Sequence, residues 1–428
     1  MKRPYTSHVR QSVGDSVCLS RAVLAGLLCA WLLWGLSALS AEPEGRDEAA
    51  FAGRVKQLLD SYVAGFGSEK TQLVYHHQLN GPRGVDALAS PAEIAAGVVR
   101  GRPLPYGYGS GIQDVALEGG QLLFALCDAY DATGDPELAE RAKWLFQGLK
   151  RVATVSPVPG FVPRGPHPDG KSYYRDSSRD QHAALAEALW RYGRSPLATA
   201  DDRRFVAGEL DEMAQRLARN DWKILVEDGS RVAHVGFTWK QSTSIGAVSL
   251  LSFLAMTAEA TGDPYWRAEY ERYSEEKEGD RWGRWLHPDA VANWKPLTLY
   301  SNQFAQALVA LKRAEPDEQR RRQVAELLRR LARRAVESDV FDPAYWRRLD
   351  WAGEAADEET QNRLRPLGLS LSEEATVLDL FRRFDPSWWQ AEDGAVRSTN
   401  GKLCFGIPTA AFHKALLAED EELIGEGG

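Results

Sequence analysis

One arrangement recurs along this chain of 428 residues: an apolar helical segment, a short turn, and then a charged, amphipathic helical segment. In the first copy, residues 118–132 are apolar nearly all round, and the turn sequence TGDP follows at residues 133–136. Within this turn Gly134 suits the end of a helix, Asp135 an N-cap and Pro136 the first turn of the next helix. The pattern therefore predicts a helical hairpin.

The same hairpin pattern returns three more times. Further apolar first helices are predicted over residues 178–192, 243–260 and 299–313, each followed by a more polar second helix. The turns recur about every 50–65 residues, which is typical of a helical array. A helix that is apolar on all sides must be buried on all sides, so the first helices should form an inner layer wrapped by the second helices.

The number of hairpins bears on whether the array closes. An N-terminal helix is predicted over residues 47–66, and two C-terminal candidates cover residues 372–384 and 408–418, which brings the total to five or six hairpins. The sequence therefore predicts an all-α fold, an (α/α)6 toroid or barrel with inner and outer helix rings. An open solenoid is the alternative, but it needs polar capping repeats that the C-terminal part does not clearly show.

The connections that lead from a second helix to the next first helix are long and rich in His, Trp and Tyr. They cover residues 73–117, 153–177, 223–242, 275–297 and 385–407. Long structured loops in a compact fold are usually functional, although these could simply plug one end of the barrel. In a toroid they would all lie on one rim, where we expect the site.

The N-terminal residues 1–40 have the pattern of an export signal, with the uncleaved membrane anchor as the alternative. Basic residues precede the apolar run at residues 22–36, and Ala38 and Ser40 are the small residues expected before a cut at Ala41. We therefore predict an exported, periplasmic or extracellular protein in which residues 41–428 form one catalytic domain. No later segment is apolar and long enough for stable membrane insertion. The net charge of −8, without a basic block, gives no reason to expect nucleic-acid binding.

The densest group of chemically useful residues surrounds the start of the second inner helix. A Ser cap places Asp180, Gln181 and His182 in the first turn of this helix. The helix N-terminus favours the charged carboxylate while burial opposes it, and such opposed effects can set a carboxyl group for acid/base work near neutral pH. Alternatively, Asp180 caps its own helix and His182 is an ordinary core histidine. Further candidates for substrate binding in the same segment are Arg164, His167, Tyr174 and Arg179.

A parallel group opens the first inner helix. Tyr106 and Tyr108 alternate with glycines, and Asp114 and Glu118 are four residues apart, so these two acids share a helix face if the helix begins early enough. Asp114 and Asp180 are 66 residues apart, which is one repeat. Equivalent positions in neighbouring repeats should meet at the mouth of the ring, and two facing carboxyl groups are what glycoside cleavage requires. The alternative is a surface loop followed by an ordinary first-turn Glu.

The remaining rim loops add rings and hydrogen-bonding groups that suit a sugar, with its apolar faces and its hydroxyl groups. The candidates for substrate binding from these loops are His234, Trp239, Trp294 and Asn302, and the two helix starts add Tyr106, Tyr108, Glu118, Gln181 and His182. No metal or other cofactor is predicted, because the eight His are scattered and the chain has no HxxxH or CxxC pattern.

In its alternation of inner and outer helices, its TGDP-type turns and the Asp that opens each of two successive inner helices, the chain resembles the six-hairpin glycosidase superfamily. The nearest likeness is to unsaturated glucuronyl hydrolases and rhamnogalacturonyl hydrolases, and it covers most of residues 47–420 as architecture. The resemblance implies an (α/α)6 toroid in which one Asp is the general acid/base on the vinyl ether of the sugar and the other Asp assists. Carried over, Asp180 matches the first and Asp114 the second.

These observations together predict a secreted glycoside hydrolase that acts on acidic or unsaturated oligosaccharides. Asp180 is the expected proton donor and Asp114 its carboxylate partner. Two alternatives stay open: a polysaccharide lyase or sugar epimerase on the same toroid, and a toroid that binds glycans without catalysis.

Overall fold

The computed structural model describes residues 59–287 and 299–337, apart from residues 61, 78, 82, 237 and 242. Helices dominate this part of the chain. Its strands are β1 (Gly67–Ser68), which pairs antiparallel with β2 (Leu73–Val74), and β3 (Val98–Val99), which pairs antiparallel with β4 (Arg102–Pro103). The prediction of an all-α fold is confirmed for these residues.

The helices fall where the hairpin pattern predicts them, in most cases within three residues. A short 3-10 turn, Gly84–Ala87, precedes the first labelled helix, and residues 62–66 are also helical. The helices are α1 (Pro91–Ala96), α2 (Val115–Thr133), α3 (Pro136–Thr154), α4 (Arg179–Arg194), α5 (Ala200–Arg219), α6 (Ser244–Thr261), α7 (Pro264–Ser274), α8 (Glu276–Leu286), α9 (Leu299–Ala314) and α10 (Glu318–Glu337). The predicted helices at residues 372–384 and 408–418 lie outside the described residues.

The TGDP turn works as its residues indicate. Gly134 ends α2 with φ = 67°, a left-handed conformation that glycine adopts without strain. The side chain of Asp135 accepts a hydrogen bond from the backbone N–H of Glu137 at 2.8 Å, and Pro136 is the first residue of α3. The turn between α6 and α7 repeats this capping with Gly262, Asp263 and Pro264.

Helix α8 corrects one prediction, because residues 275–297 were expected to form a connection. Trp282, Trp285 and Leu286 are spaced as one face of a helix, and this face packs on α6. The rings of Trp282 and Trp285 are 4.8 Å apart and both are buried. These tryptophans therefore serve the core rather than a binding surface.

The first helices of the four hairpins, α2, α4, α6 and α9, run parallel and pack on one another. Near their carboxyl ends, Arg191 of α4 contacts Asp128 of α2 at 2.6 Å, and Arg313 of α9 reaches the same carboxylate at 2.8 Å. Trp190 of α4 donates to Glu259 of α6 at 3.0 Å. Because all four helices pair end with like end, their amino ends also lie together at one end, along with the described long loops before α2, α4 and α6.

Helix α6 is apolar almost throughout. The prediction that no segment after residue 40 is apolar and long enough for a membrane is wrong by length and composition, since among the described helices α6 meets both criteria, yet most of it is buried inside the protein. Its neighbours are α4, α5, α7, α8 and α9. This environment is that of a core helix, as its uniform hydrophobicity predicts.

Gly120 sets the distance between α2 and α4. A Cβ atom at this position would lie 2.5 Å from the carbonyl oxygen of Ala184, far inside van der Waals contact. We predict that Gly120→Ala lowers the free energy of unfolding by about 1–3 kcal/mol, since the backbones must move apart. The control is Gly208→Ala on α5, where no atom lies within 4 Å, and which should stabilise by up to about 1 kcal/mol. Urea unfolding measures both, and equal effects would contradict the close packing.

Glu187 of α4 is buried between helices and accepts a hydrogen bond from Gln306 of α9 at 2.7 Å. Burial raises its pKa from an ordinary 4.5 to about 8, and the hydrogen bond from Gln306 opposes this. The folded protein thus binds a proton that the unfolded chain has released between about pH 5 and pH 8, so this group makes stability fall as pH rises through that window.

We therefore predict that Glu187→Gln weakens the loss of stability between pH 5.5 and pH 8, measured by urea unfolding at both pH values. Burial also raises the pKa of Glu209 to about 8, so part of the dependence should remain. Glu137→Gln, which changes an exposed acid on α3, should leave the dependence as it is. An unchanged pH dependence in Glu187→Gln would contradict the prediction.

Candidate active site

The amino end of α2 is capped by other parts of the protein instead of by its own N-cap residue. Asp114 occupies the N-cap position, but its side chain accepts no hydrogen bond from the first turn. The N–H of Ala116 donates to the backbone carbonyl of Arg164 at 2.9 Å, and the N–H of Leu117 donates to Gln181 Oε1 at 2.9 Å. Since these are donors that an N-cap side chain would normally satisfy, the carboxyl group of Asp114 is left for other contacts.

Gln181 joins the first turns of α2 and α4. Besides accepting from Leu117, its side-chain amide donates to Asp114 Oδ1 at 2.9 Å and to the carbonyl of Gln113 at 3.4 Å. Gln181 is fully buried. The sequence predicted it as a substrate-binding residue, but its amide is occupied by the protein, so its role here is to position Asp114.

Arg164 brings the loops before α4 and α6 to the amino end of α2. Its guanidinium donates to the carbonyls of Gln113, Ser177 and His234 at 3.2–3.4 Å, and it lies 3.5 Å from Asp114 Oδ1. It is only 2% exposed. Arg164 was predicted to grip the substrate, whereas the structure uses it to tie the loops together and to place a positive charge beside Asp114.

The environment of Asp114 suits a group that exchanges protons near neutral pH. Burial raises the pKa of this carboxyl to about 6, and Arg164 opposes the rise. The negative charges of Glu118 and Asp180 add to it, while His76 acts against it. The side chain keeps 21% of its surface exposed, so it stays open to a ligand.

Asp180 lies in the first turn of α4, as predicted, and it does not cap this helix. Ser178 is the N-cap, and its side chain accepts from the N–H of Gln181. Asp180 Oδ1 instead lies 3.3 Å from Arg179. Its charge acts on both Asp114 and Tyr108, which places the two predicted acids at the same end of the parallel helices.

Glu118 sits one turn below Asp114 and is almost completely buried. Its Oε1 is 2.9 Å from His76 Nδ1, while its Oε2 has no hydrogen-bond partner among the described residues. Glu118 was predicted to bind substrate. Because it is buried, Glu118 instead acts as a negative charge that raises the pKa of Asp114 through the protein interior.

Two tyrosines and a histidine form an aromatic wall beside the acids. The rings of Tyr106 and His234 stack at 3.9 Å, and Tyr108 meets each of them edge-on, at 5.4 Å from Tyr106 and 5.2 Å from His234. Tyr108 is 38% exposed and lies over the guanidinium of Arg164. The structure thus brings three predicted binding residues together, with the ring of Tyr108 open to solvent.

Three other predicted binding residues, Tyr174, Trp239 and His182, are core residues in the structure. Tyr174 is buried under Gly107, where a Cβ atom would lie 2.5 Å from its ring, and its hydroxyl donates to the carbonyl of Val98 at 2.8 Å. Trp239 is fully buried and meets Phe253 edge-on at 4.8 Å. Both rings were predicted to stack on a sugar, but in this structure neither has an open face.

His182 is also part of the core. It is buried, and its Nδ1 donates to the carbonyl of Ser178 at 3.0 Å. Burial lowers its pKa to about 4, so the ring is neutral at physiological pH. Of the two interpretations that the sequence allowed, the satisfied core histidine is the one that the structure shows.

The last predicted binding residues lie away from the acids or outside the described part. His167 lines a separate cleft. Trp294 falls in residues 288–298, which are not described, and although Asn302 belongs to α9, its side chain is outside the described part.

Two residues at the site were not singled out from the sequence. His76 lies 42 residues before its partner Glu118, and its place in a rim loop was the one available signal. Asp176 accepts from the backbone N–H groups of Ser177 and His234 at 2.8 and 2.9 Å, which fixes the loop that carries His234. Its signal was that the segment RDSSRD holds a second acid besides Asp180.

Comparisons of the chain with protein-family models, with curated proteins and with solved structures found no match. Among the residues that the structure describes, no group of three or more His, Cys, Asp and Glu side chains is placed to hold a metal ion. The site is therefore interpreted from its own geometry.

We predict that Glu118→Gln lowers the pKa of Asp114 below its value of about 6, because it removes a buried negative charge that opposes ionisation. Carbon-13 NMR of the aspartate carboxyl groups across pH 3–9 measures the change. Glu137→Gln, at the far end of the hairpin, is the matched control and should leave this titration unchanged. A rise in the pKa of Asp114 in Glu118→Gln would contradict the proposed coupling.

Proposed function

We propose that this protein is an exported glycoside hydrolase of the α/α-toroid type that acts on acidic or unsaturated oligosaccharides. The described hairpins would supply four of six units of the ring, and the export signal at residues 1–40 would be removed. The parallel inner helices support the toroid, because a ring of this kind needs the amino ends of successive inner helices at one rim.

The observation that carries the proposal is the meeting of two carboxyl groups at one end of the parallel helices, one of them with a raised pKa. Burial raises the pKa of Asp114 to about 6, so this group can carry a proton near neutral pH. Asp180 lies 3.3 Å from Arg179 in the first turn of the neighbouring helix. Acid/base cleavage of a glycoside uses two carboxyl groups in one site, one of which donates a proton.

These surroundings favour the reverse of the roles expected from the sequence. Asp114, with its raised pKa, is the better proton donor to the substrate. Asp180, as the carboxylate, would accept a proton from the attacking water. Gln181 would hold Asp114 in place throughout, since its amide donates to the same carboxylate oxygen that faces Arg164.

The walls of the site suit a charged sugar. Tyr108 offers an exposed ring for the apolar face of a pyranose. Arg164 and Arg179 each lie beside one of the acids, at 3.5 and 3.3 Å, and offset its negative charge, so a substrate that carries a carboxylate would meet less repulsion there. We therefore propose a uronate-containing oligosaccharide as the substrate class.

A lyase or epimerase on the same toroid stays the alternative enzyme. Those reactions rely on Tyr, His or Arg side chains more than on a carboxyl pair. Since Tyr174 and His182 are buried, the residues that could serve such chemistry here are Tyr108 and His234. Loss of activity in Tyr108→Phe with activity retained in Asp114→Asn would favour that alternative.

We expect Asp114→Asn and Asp180→Asn each to lower kcat by about 10²–10⁴-fold, since each removes one side of the acid/base pair. The assay is release of products from unsaturated uronate disaccharides, followed by mass spectrometry. Glu137→Gln serves as the control and should keep full activity. Full turnover in both Asn variants, with folding intact by circular dichroism, would overturn the hydrolase proposal, and glycan binding without any product would favour a non-catalytic protein.

A further inference from the structure

A cleft begins next to the aromatic wall, in a part of the protein that the proposed reaction does not use. Its volume is about 370 Å³, within the range of small-molecule sites. The 3-10 turn, the start of α1, the turn between β3 and β4, Gly109 and His167 all contribute to its walls. Four separate stretches of the chain, at residues 83–93, 99–100, 109 and 167, thus meet around one space.

The cleft is close to the proposed active site along two segments of the chain. Gly109 lines the cleft, and the preceding residue, Tyr108, belongs to the aromatic wall. His167 lines the cleft three residues after Arg164, which contacts Asp114. Because three residues span at most about 11 Å, the backbone that carries Arg164 lies next to the cleft, which suits a ligand that extends from one to the other.

The charged groups of the cleft are of both signs. Arg83 and Arg100 line the cleft together with Asp86 and Glu93, so the formal charges balance. The carboxylate of Glu93 is already held by the N–H and hydroxyl of Ser90 at 2.9 and 3.1 Å and by the N–H of Arg100 at 2.8 Å. A balanced set of donors and acceptors favours a neutral polar ligand over an anion.

Apolar groups line the same cleft. Val85 is 44% exposed, and Pro91 and Val99 also contribute to the wall. Apolar surface next to fixed donors and acceptors fits a pyranose ring, which presents C–H faces and hydroxyl groups. His167 adds a donor: its Nδ1 accepts from the N–H of Asp169 at 3.1 Å, and burial lowers its pKa, so the neutral ring carries its proton on Nε2.

We propose that this cleft is a second sugar-binding subsite, which takes a neutral pyranose unit of the same oligosaccharide that is cleaved at Asp114 and Asp180. The proposal rests on the proposed function, because it assigns the part of the substrate beyond the disaccharide that contains the cleaved bond. It gives the protein a preference for oligosaccharides that extend past this disaccharide with neutral sugars.

The test fills the cleft and compares two substrates. Val85→Trp places a large ring in the cleft, and the control Val232→Trp changes a similarly exposed valine, 49% exposed, that does not line it. The substrates are an unsaturated uronate disaccharide and the tetrasaccharide that extends it by two neutral hexoses. We expect Val85→Trp to lower kcat/KM for the tetrasaccharide at least tenfold and to leave the disaccharide within twofold, with Val232→Trp unchanged on both.

A second variant keeps the subsite testable if Val85→Trp does not fold. His167→Asn retains an acceptor for the N–H of Asp169 and removes the imidazole donor, and it should also lower kcat/KM selectively for the tetrasaccharide. Equal effects on both substrates, or no effect on either, would overturn the subsite. If Asp114→Asn keeps full turnover, the hydrolase proposal fails. Calorimetric binding of the tetrasaccharide to the wild type and to Val85→Trp then still decides whether the subsite exists. Weaker binding in the variant supports the subsite, and equal binding refutes it.

Discussion

The site depends on the way in which the first turn of α2 is capped. A helix that begins with Asp normally uses this carboxylate to satisfy its own N–H groups. Here the side-chain amide of Gln181 and the backbone carbonyl of Arg164 do so instead. The carboxyl group of Asp114 is thereby released from a structural task, and the same two residues hold it by hydrogen bond and by charge. Catalytic potential at this position thus comes from neighbouring segments that substitute for a local cap.

The groups around Asp114 shift its pKa in opposite directions, and some of them are more deeply buried than others. Burial and the acids Glu118 and Asp180 favour the protonated form, whereas Arg164 favours the carboxylate. The first-turn position of Asp180 and the buried position of Glu118 both follow from helical geometry. The raised pKa of Asp114 is therefore a result of two parallel helices packed with their first turns side by side. Neither helix alone would produce it.

Local signals allowed most of the fold to be predicted. Gly134, Asp135 and Pro136 act through their own backbone conformations and hydrogen bonds, so a turn can be inferred from a few neighbouring residues. The failure at α8 has the opposite cause, since residues 275–297 were assigned to a connection rich in His, Trp and Tyr although Trp282 and Trp285 have helical spacing. At the site, the meeting of Asp114 with Asp180 was predictable from the repeat, but the burial of Tyr174, Trp239 and His182 depends on distant segments that the sequence does not place.

The two ends of the inner helices are built differently. At the carboxyl ends, Asp128 is shared by Arg191 and Arg313, which come from the second and fourth hairpins. At the amino ends, long loops meet through backbone carbonyls, which every residue type provides. Side-chain identity is thus fixed at one end, while much of the loop sequence at the other is open to substitution. Such a scaffold can evolve new specificities by exchanging loops while its ion-paired base stays the same.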